Sequence, residues 1–216
     1  MIPAYLKLIA REVKVKGGRT TMALVCWCGN DLFWLYENKL TMEEKKQMEP
    51  YEKAIHELYS CGFGSMCTRD EDGTLHYWKL LEHPPLWTPI EKCKAVEVFI
   101  PEKPSFAGVV SIQAECSCCG KVHTIFDNRI HGYDGVFCNA GEDLAYQPHY
   151  QKRSTRDGLP RKIEIVTEND ETLEEFRENT DVDCDEAAYS NAFGWISIYA
   201  IDAKGKKSKI LDFETS

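Results

Sequence analysis

The sequence predicts an α+β protein of mainly antiparallel sheet, built from two related β-β-turn-β-α-β-β units. Three observations support this prediction. Strand-like runs alternate with turn residues, one stretch near residue 50 has helical spacing, and a Cys-x-x-Cys-Gly turn at residues 116–120 is preceded by a shorter version at residues 26–29. Closely spaced cysteines followed by a glycine are typical of zinc-knuckle turns.

The first half begins with β signals, and a helix interrupts them. The strands expected here cover residues 5–16, 20–27, 32–36, 65–69 and 74–81. Thr41 and Glu44 have the spacing of a capping box, and apolar residues then recur every three or four positions, which indicates a helix. Residues 82–89 contain three prolines and are the best candidate for a linker.

The second half repeats this order of elements. Its expected strands cover residues 90–100, 109–115, 123–127, 194–201 and 208–213. Residues 36–40 resemble 126–130, and residues 59–64 resemble 189–194, in the same order along the chain. We therefore predict an internal duplication, although chance similarity of short apolar strings is the alternative. The predicted units are residues 1–88 and 89–216, with an insertion in the second unit around residues 131–170.

Composition limits the class of protein. The 216 residues suffice for one core or two small ones, and 43% of them are hydrophobic. No apolar run is long enough to cross a bilayer, and the N-terminus lacks signal-peptide features. We therefore expect a cytoplasmic protein whose ten cysteines stay reduced and either bind metal or fill core. The net charge of −9 disfavours a general affinity for nucleic acid.

Each cysteine turn predicts a structural zinc site, so one or two Zn²⁺ ions are expected. The first set of candidate ligands is Cys26, Cys28, Cys61 and Cys67. The second set is Cys116, Cys119, His131 and Cys138, with His123 and His149 as alternatives for His131. Thiolates and imidazoles at these spacings can converge on one tetrahedral ion. The alternative is that several cysteines, Cys93 and Cys184 above all, simply fill core.

Charge is segregated in the second half, where a basic loop precedes an acidic stretch. The basic loop contains Lys152, Arg153, Arg156, Arg161 and Lys162. Residues 164–186 then hold eleven acidic residues and one basic residue, and Glu174 and Glu178 are one helical turn apart. Such runs are usually solvated surface. If they bind something, the acidic face suits a basic protein and the loop suits phosphates; we expect a protein partner and do not favour nucleic acid.

Three classes of function fit these features. The preferred one is a non-enzymatic, zinc-stabilised binding or regulatory protein that acts through protein–protein contacts. The second is an acidic inhibitor that mimics nucleic acid, of the kind encoded by phages and mobile elements. The third is a metal-dependent enzyme that uses His131 and Asp134. Because the sequence contains no P-loop, Gly-x-Ser-x-Gly or dinucleotide-binding motif, we expect that the chain is not an enzyme.

Overall fold

The computed structural model describes residues 2–60, 63–85, 87–138, 144–169, 172–180 and 185–215. The strands, in chain order, are β1 (Ala10–Lys16), β2 (Arg19–Leu24), β3 (Phe33–Asn38), β4 (Ser65–Arg69), β5 (Leu75–Leu80), β6 (Ala95–Val98), β7 (Ser111–Cys116), β8 (Val122–Asp127), β9 (Tyr150–Lys152), β10 (Lys162–Glu168), β11 (Trp195–Ile201) and β12 (Lys207–Glu214). The α-helices are α1 (Met42–Tyr59), α2 (Leu173–Thr180) and α3 (Glu186–Asn191). The strand pairs are mostly antiparallel, which confirms the predicted α+β class.

The chain divides into two compact units. The first unit combines Met1–Lys39 with Gly108–Ser216, and the second unit is the continuous segment Leu40–Ala107. These bounds differ from the predicted repeat units, 1–88 and 89–216, because the first unit is assembled from both ends of the chain. No helix among the described residues is both long and apolar enough to span a membrane.

The larger sheet of the first unit has five strands in the order β1-β2-β10-β11-β12. Its central strands carry β-branched side chains, which pack well on a pleated surface. Ile163, Ile165, Ile196 and Ile198 are at most 1% exposed. Burying a side chain of this size stabilises the fold by about 1.5–3 kcal/mol. The core of the first unit therefore lies against β10 and β11.

The second sheet of the first unit has four strands in the order β8-β7-β3-β9. Along β3 the side chains alternate, so Phe33 and Leu35 are buried while Trp34 is half-buried on the other face. Two backbone hydrogen bonds join Phe33 to Arg161, at 2.8 and 2.9 Å, immediately before β10. This bridge connects the two sheets at the point where they share one core.

The second unit consists of α1 and the three-stranded sheet β4-β5-β6. Ala54 and Leu58 of α1 pack with Val98 of β6 to form its small core. The predicted capping box is present, since the Thr41 hydroxyl accepts a hydrogen bond from the Glu44 N–H and the Glu44 carboxylate accepts one from the Thr41 N–H. The sequence therefore identified the start of this helix correctly.

Two predicted strands begin later than expected. Residues 5–16 do not form one strand, because a short 3-10 helix covers Ala4–Leu6 before β1 begins. Likewise, Ile90–Lys92 form a 3-10 helix and only Ala95–Val98 are extended. A proline, Pro3 or Pro89, precedes each 3-10 helix, and its fixed φ favours a turn at that point.

The internal duplication is not confirmed. Gly64 and Gly194 do lie immediately before strands, as the duplication predicts. However, Phe63 is 48% exposed whereas Phe193 is 2% exposed, so the two aromatic residues do not have matching environments.

Candidate metal centre

The first cysteine turn connects β2 to β3. The Cys26 N–H donates a hydrogen bond to the Asn30 carbonyl at 2.8 Å, and the Gly29 N–H donates one to the Cys26 carbonyl at the same distance. Gly29 has φ +86°, a conformation that favours glycine. The backbone therefore folds back on itself within four residues and directs the side chains of Cys26 and Cys28 to one point.

The second cysteine turn connects β7 to β8 and is closed by a similar pair of hydrogen bonds, each spanning one residue more. The Cys116 N–H donates to the Lys121 carbonyl and the Gly120 N–H donates to the Cys116 carbonyl, both at 2.9 Å. Gly120 has φ +70°, like its counterpart in the first turn. Cys116 and Cys119 both lie on this turn.

Pairing of β3 with β7 brings the two turns together. Phe33 lies opposite Cys116 in this pair, and the Ser117 N–H donates to the Leu32 carbonyl at 3.0 Å. The ligand atoms of four cysteines then lie within 4.8 Å of one another; they are Cys26, Cys28, Cys116 and Cys119. The Cys26–Cys119 and Cys28–Cys116 sulfur pairs are each 3.5 Å apart. This group, called the four-cysteine group below, could hold a metal ion.

The geometry of the group suits tetrahedral coordination. Metal–sulfur bonds of about 2.3 Å imply sulfur–sulfur edges of about 3.8 Å in a regular tetrahedron. The observed separations, from 3.5 Å to at most 4.8 Å, bracket this value. Cys26 and Cys116 are buried while Cys28 and Cys119 are exposed, so the group lies at the edge of the core.

Two of the thiols have pKa values that move in opposite directions. Burial raises the pKa of Cys26 to about 12, and the neighbouring thiols of Cys119 and Cys116 act in the same direction. Burial would also raise the pKa of Cys116, but hydrogen bonds from the Cys119 and Cys118 N–H groups and the Asn30 amide outweigh it and lower that pKa to about 6. The group thus stabilises one thiolate through local donors, and a cation would stabilise the others.

Asn30 is a supporting residue that the sequence analysis missed. Its side-chain amide donates hydrogen bonds to the Leu32 carbonyl at 2.6 Å, to the Cys116 sulfur at 3.3 Å and to the Ser117 hydroxyl at 3.2 Å. It therefore holds the first turn against the second. Its position in the sequence could have indicated this role, because Asn30 directly follows Cys28-Gly29 and a polar side chain there can reach the cysteine sulfurs.

Basic and aromatic residues surround the group. The Nε2 atom of His123 lies 4.0 Å from the Cys26 sulfur, and burial lowers the pKa of His123. Trp27 lies edge-on to His123, and the Lys121 ammonium lies 3.2 Å from the centre of the Trp27 ring. Lys121 and Trp27 therefore pack together beside His123, next to the four-cysteine group.

The structure combines half of each predicted ligand set. Cys67 is exposed on β4 in the second unit and is not in the four-cysteine group, and neither is His149. The predicted ligand Cys61 lies outside the described residues. For Cys138 only the backbone is described, at the end of a π-helical turn.

His131 has a structural role instead. Its Nδ1 atom accepts a hydrogen bond from the Asp127 N–H at 3.0 Å, and its ring stacks on Tyr5 with 3.6 Å between ring centres. It is 5% exposed, and burial lowers its pKa to about 4 although the Asp127 carboxylate opposes the shift. No hydrogen bond or ion pair joins His131 to Asp134 among the described residues, so their predicted pairing as an acid and a base lacks support.

The predicted binding residues are dispersed. In the loop, the Lys152 ammonium lies 3.4 Å from the centre of the Trp34 ring, and the Arg153 guanidinium pairs with Glu37 at 2.6 Å. Arg156 is exposed beside a cleft of the first unit. Glu174 and Glu178 are exposed on α2, the helix whose Phe176 is buried with Tyr189 of α3.

Comparisons with protein-family models, curated proteins and solved structures yielded no match. The proposals below therefore depend on the geometry of the chain alone.

Proposed function

We propose that this chain is a non-enzymatic binding protein, stabilised by one structural zinc ion and acting through contacts with another protein. The observation that carries the proposal is the four-cysteine group. Four sulfur ligands favour Zn²⁺ among the common divalent ions, and a complete tetrahedral set leaves no open position for a substrate or a catalytic water. A closed site of this kind stabilises a fold rather than catalysing a reaction.

Zinc at this position would connect distant parts of the chain. Cys28 and Cys116 are separated by 88 residues, and the first belongs to the turn after β2 and the second to the turn after β7. The ion would therefore fix β3 against β7 at the end of that strand pair. Sequence prediction allowed one or two zinc ions, and the shared group supports one.

The proposed surface for the partner is the acidic face of α2. Glu174 and Glu178 are exposed on this helix, while Phe176 packs inward against the aromatic residues around Tyr189. The packing of Phe176 with Tyr189 places these carboxylates on the outer face of α2. Acidic residues arranged in this way suit a basic protein partner, and a mimic of nucleic acid would use the same surface.

Two cations of the basic loop already contact other side chains of the protein, which disfavours nucleic acid as the partner. The Lys152 ammonium contacts Trp34, and Arg153 is paired with Glu37. Both side chains would have to exchange these contacts for phosphates. In a chain of net charge −9, the remaining cations of the loop could neutralise only a few phosphates of a nucleic acid.

Charge reversal tests the partner surface. The double variant Glu174→Lys, Glu178→Lys should lose a partner that wild type captures from lysate and releases at high salt. The matched control is Glu49→Lys, Glu52→Lys, which makes the same charge change on exposed positions of α1. Retention by the first variant, or equal loss by both, would contradict the surface. Salt-sensitive binding of DNA or RNA by wild type would contradict the protein partner.

A further inference from the structure

We propose that the first unit has a binding site for a small phosphorylated organic molecule, in a cleft whose floor is formed by β3, β11 and β12. The cleft has a volume of about 580 Å³. Sites for small molecules have volumes of about 300–1,000 Å³. This proposal goes beyond the proposed function, because it involves neither the four-cysteine group nor α2.

The floor of the cleft is apolar and its walls are two loops. Phe33 and Leu35 of β3, Ala200 of β11 and Ile210 of β12 form the floor. One wall is formed by residues of the loop between β9 and β10, and the other by the β11–β12 hairpin. An organic group could cover the apolar floor while a charged group stays near the walls.

The cleft is basic in an acidic chain. Five cations line it, and they are Arg153, Arg156, Arg161, Lys206 and Lys209. Only two carboxylates, Asp157 and Asp202, line it with them. Glu37 and Asp212, which pair with Arg153 and Lys209, reduce this excess to a single positive charge. In a chain of net charge −9, that local excess would still favour an anion.

Three of the five cations already have partners. Arg153 pairs with Glu37 at 2.6 Å, Arg161 with Asp157 at 2.5 Å, and Lys209 with Asp212 at 2.6 Å. These pairs leave Arg156 and Lys206, whose side chains make no ion pair or hydrogen bond within the described ranges of the chain.

The wall that carries Arg156 is pre-organised. The Arg153 N–H donates to the Leu35 carbonyl at 2.8 Å and the Arg161 N–H donates to the Phe33 carbonyl at 2.9 Å, so both ends of the loop are fixed to β3. Between them the Gly158 N–H donates to the Thr155 carbonyl at 3.0 Å. Little backbone entropy would then be lost when a ligand binds.

The hairpin that carries Lys206 is pre-organised as well. The Asp202 carboxylate accepts hydrogen bonds from the N–H groups of Lys204 and Lys206, both at 2.9 Å. The Asp202 carboxylate thus accepts hydrogen bonds from the hairpin backbone, and its negative charge remains in the lining of the cleft. Each wall therefore presents one unpaired cation on a fixed backbone.

Two unpaired cations on separate walls match a phosphate monoester better than a carboxylate. A phosphate carries a charge of about −1.5 to −2 at neutral pH and offers three acceptor oxygens, so that one group could contact both walls. The apolar floor would add contacts to the organic part, which inorganic phosphate lacks. Trp34 and Lys152 do not line this cleft; they line a neighbouring depression that shares Arg153, Ser154 and Thr155 with it.

Calorimetric titration of the full chain with phenyl phosphate tests the site. We expect saturable binding with one ligand per chain, about tenfold tighter than the binding of inorganic phosphate or phenylacetate. Arg156→Ala and Lys206→Ala should each weaken it by about tenfold, since each removes one charge-assisted contact. Both residues are exposed, so these variants should fold normally.

Lys204→Ala is the matched control, because Lys204 lies on the same hairpin but does not line the cleft. It should leave the affinity for phenyl phosphate unchanged. The proposal is wrong if phenyl phosphate shows no saturable binding, or if Lys204→Ala weakens it as much as Lys206→Ala. It is also wrong if an acidic peptide or a single-stranded oligonucleotide binds through Arg156 and Lys206 and phenyl phosphate does not compete.

Discussion

Replacement of a single ligand cysteine should remove both the metal and a large part of the stability of the first unit. Cys116→Ser is the sharpest case, because Cys116 is 1% exposed and its sulfur lies 3.5 Å from that of Cys28. The two residues are separated by 88 positions. A metal that binds only the folded chain stabilises it by its binding free energy, about 4 kcal/mol when the free metal exceeds its dissociation constant about 1,000-fold. Cys116→Ser would remove this contribution.

The expected result is a fall in melting temperature of about 10 °C, since 1 kcal/mol corresponds to about 2–4 °C in a chain of this size. Zinc content should fall from about one ion per chain to nearly none, because three remaining thiolates bind it far more weakly. Metal analysis and thermal unfolding of protein purified without chelators measure both quantities.

Cys118→Ser is the matched control for this experiment. Cys118 lies in the same turn and is exposed, and it is not in the four-cysteine group. Its replacement should change neither zinc content nor melting temperature. Equal losses in Cys116→Ser and Cys118→Ser would refute the assignment, and so would less than about a tenth of an equivalent of zinc in wild type.

Three further outcomes follow from the structure. The first concerns pH, because burial lowers the pKa of His131 to about 4 in the native state. As the pH falls, the unfolded state therefore binds a proton at this histidine before the native state does. The free energy of unfolding should decrease by about 2 kcal/mol between pH 7 and pH 5. Urea titrations at both pH values would show this, and an equal decrease in His131→Gln would contradict it. Arg129→Ala should lower the free energy of unfolding by about 3–5 kcal/mol, because the buried Asp127 carboxylate would lose its partner at 2.7 Å. Urea unfolding measures this loss, and a value below about 1 kcal/mol would rule the explanation out. Thr41→Ala should destabilise the second unit by about 1 kcal/mol, because it removes the capping box formed with Glu44. Hydrogen exchange of the α1 amides measures this effect, and an unchanged exchange rate would show that the cap contributes nothing.

The sequence identified local features well. The capping box of Thr41 and the presence of Cys116 and Cys119 in one cysteine cluster depend on residues a few positions apart, where spacing determines geometry. The strand expected over residues 32–36 is likewise present as β3, although the sequence pattern did not indicate which of its side chains are buried.

The composition of the four-cysteine group could not be predicted in the same way. The partners of Cys116 and Cys119 are Cys26 and Cys28, and they come from a turn that only the pairing of β3 with β7 brings close. Spacing rules favoured nearer residues such as His131. That residue is instead buried by its stacking on Tyr5, a contact between distant parts of the chain.

The composite group also imposes an order on synthesis at the ribosome. Cys26 and Cys28 emerge first, and Cys116 follows Cys28 by 88 residues, which takes about 4–18 s at typical translation rates. During that interval the second unit, a continuous segment with all the strands of its own sheet, can be completed. Cys26 and Cys28 therefore lack their partner cysteines until β7 and the turn after it have been synthesised. On stalled chains that end before β7, we expect both thiols to react with an alkylating reagent. On chains that extend well past β7, we expect both to be protected.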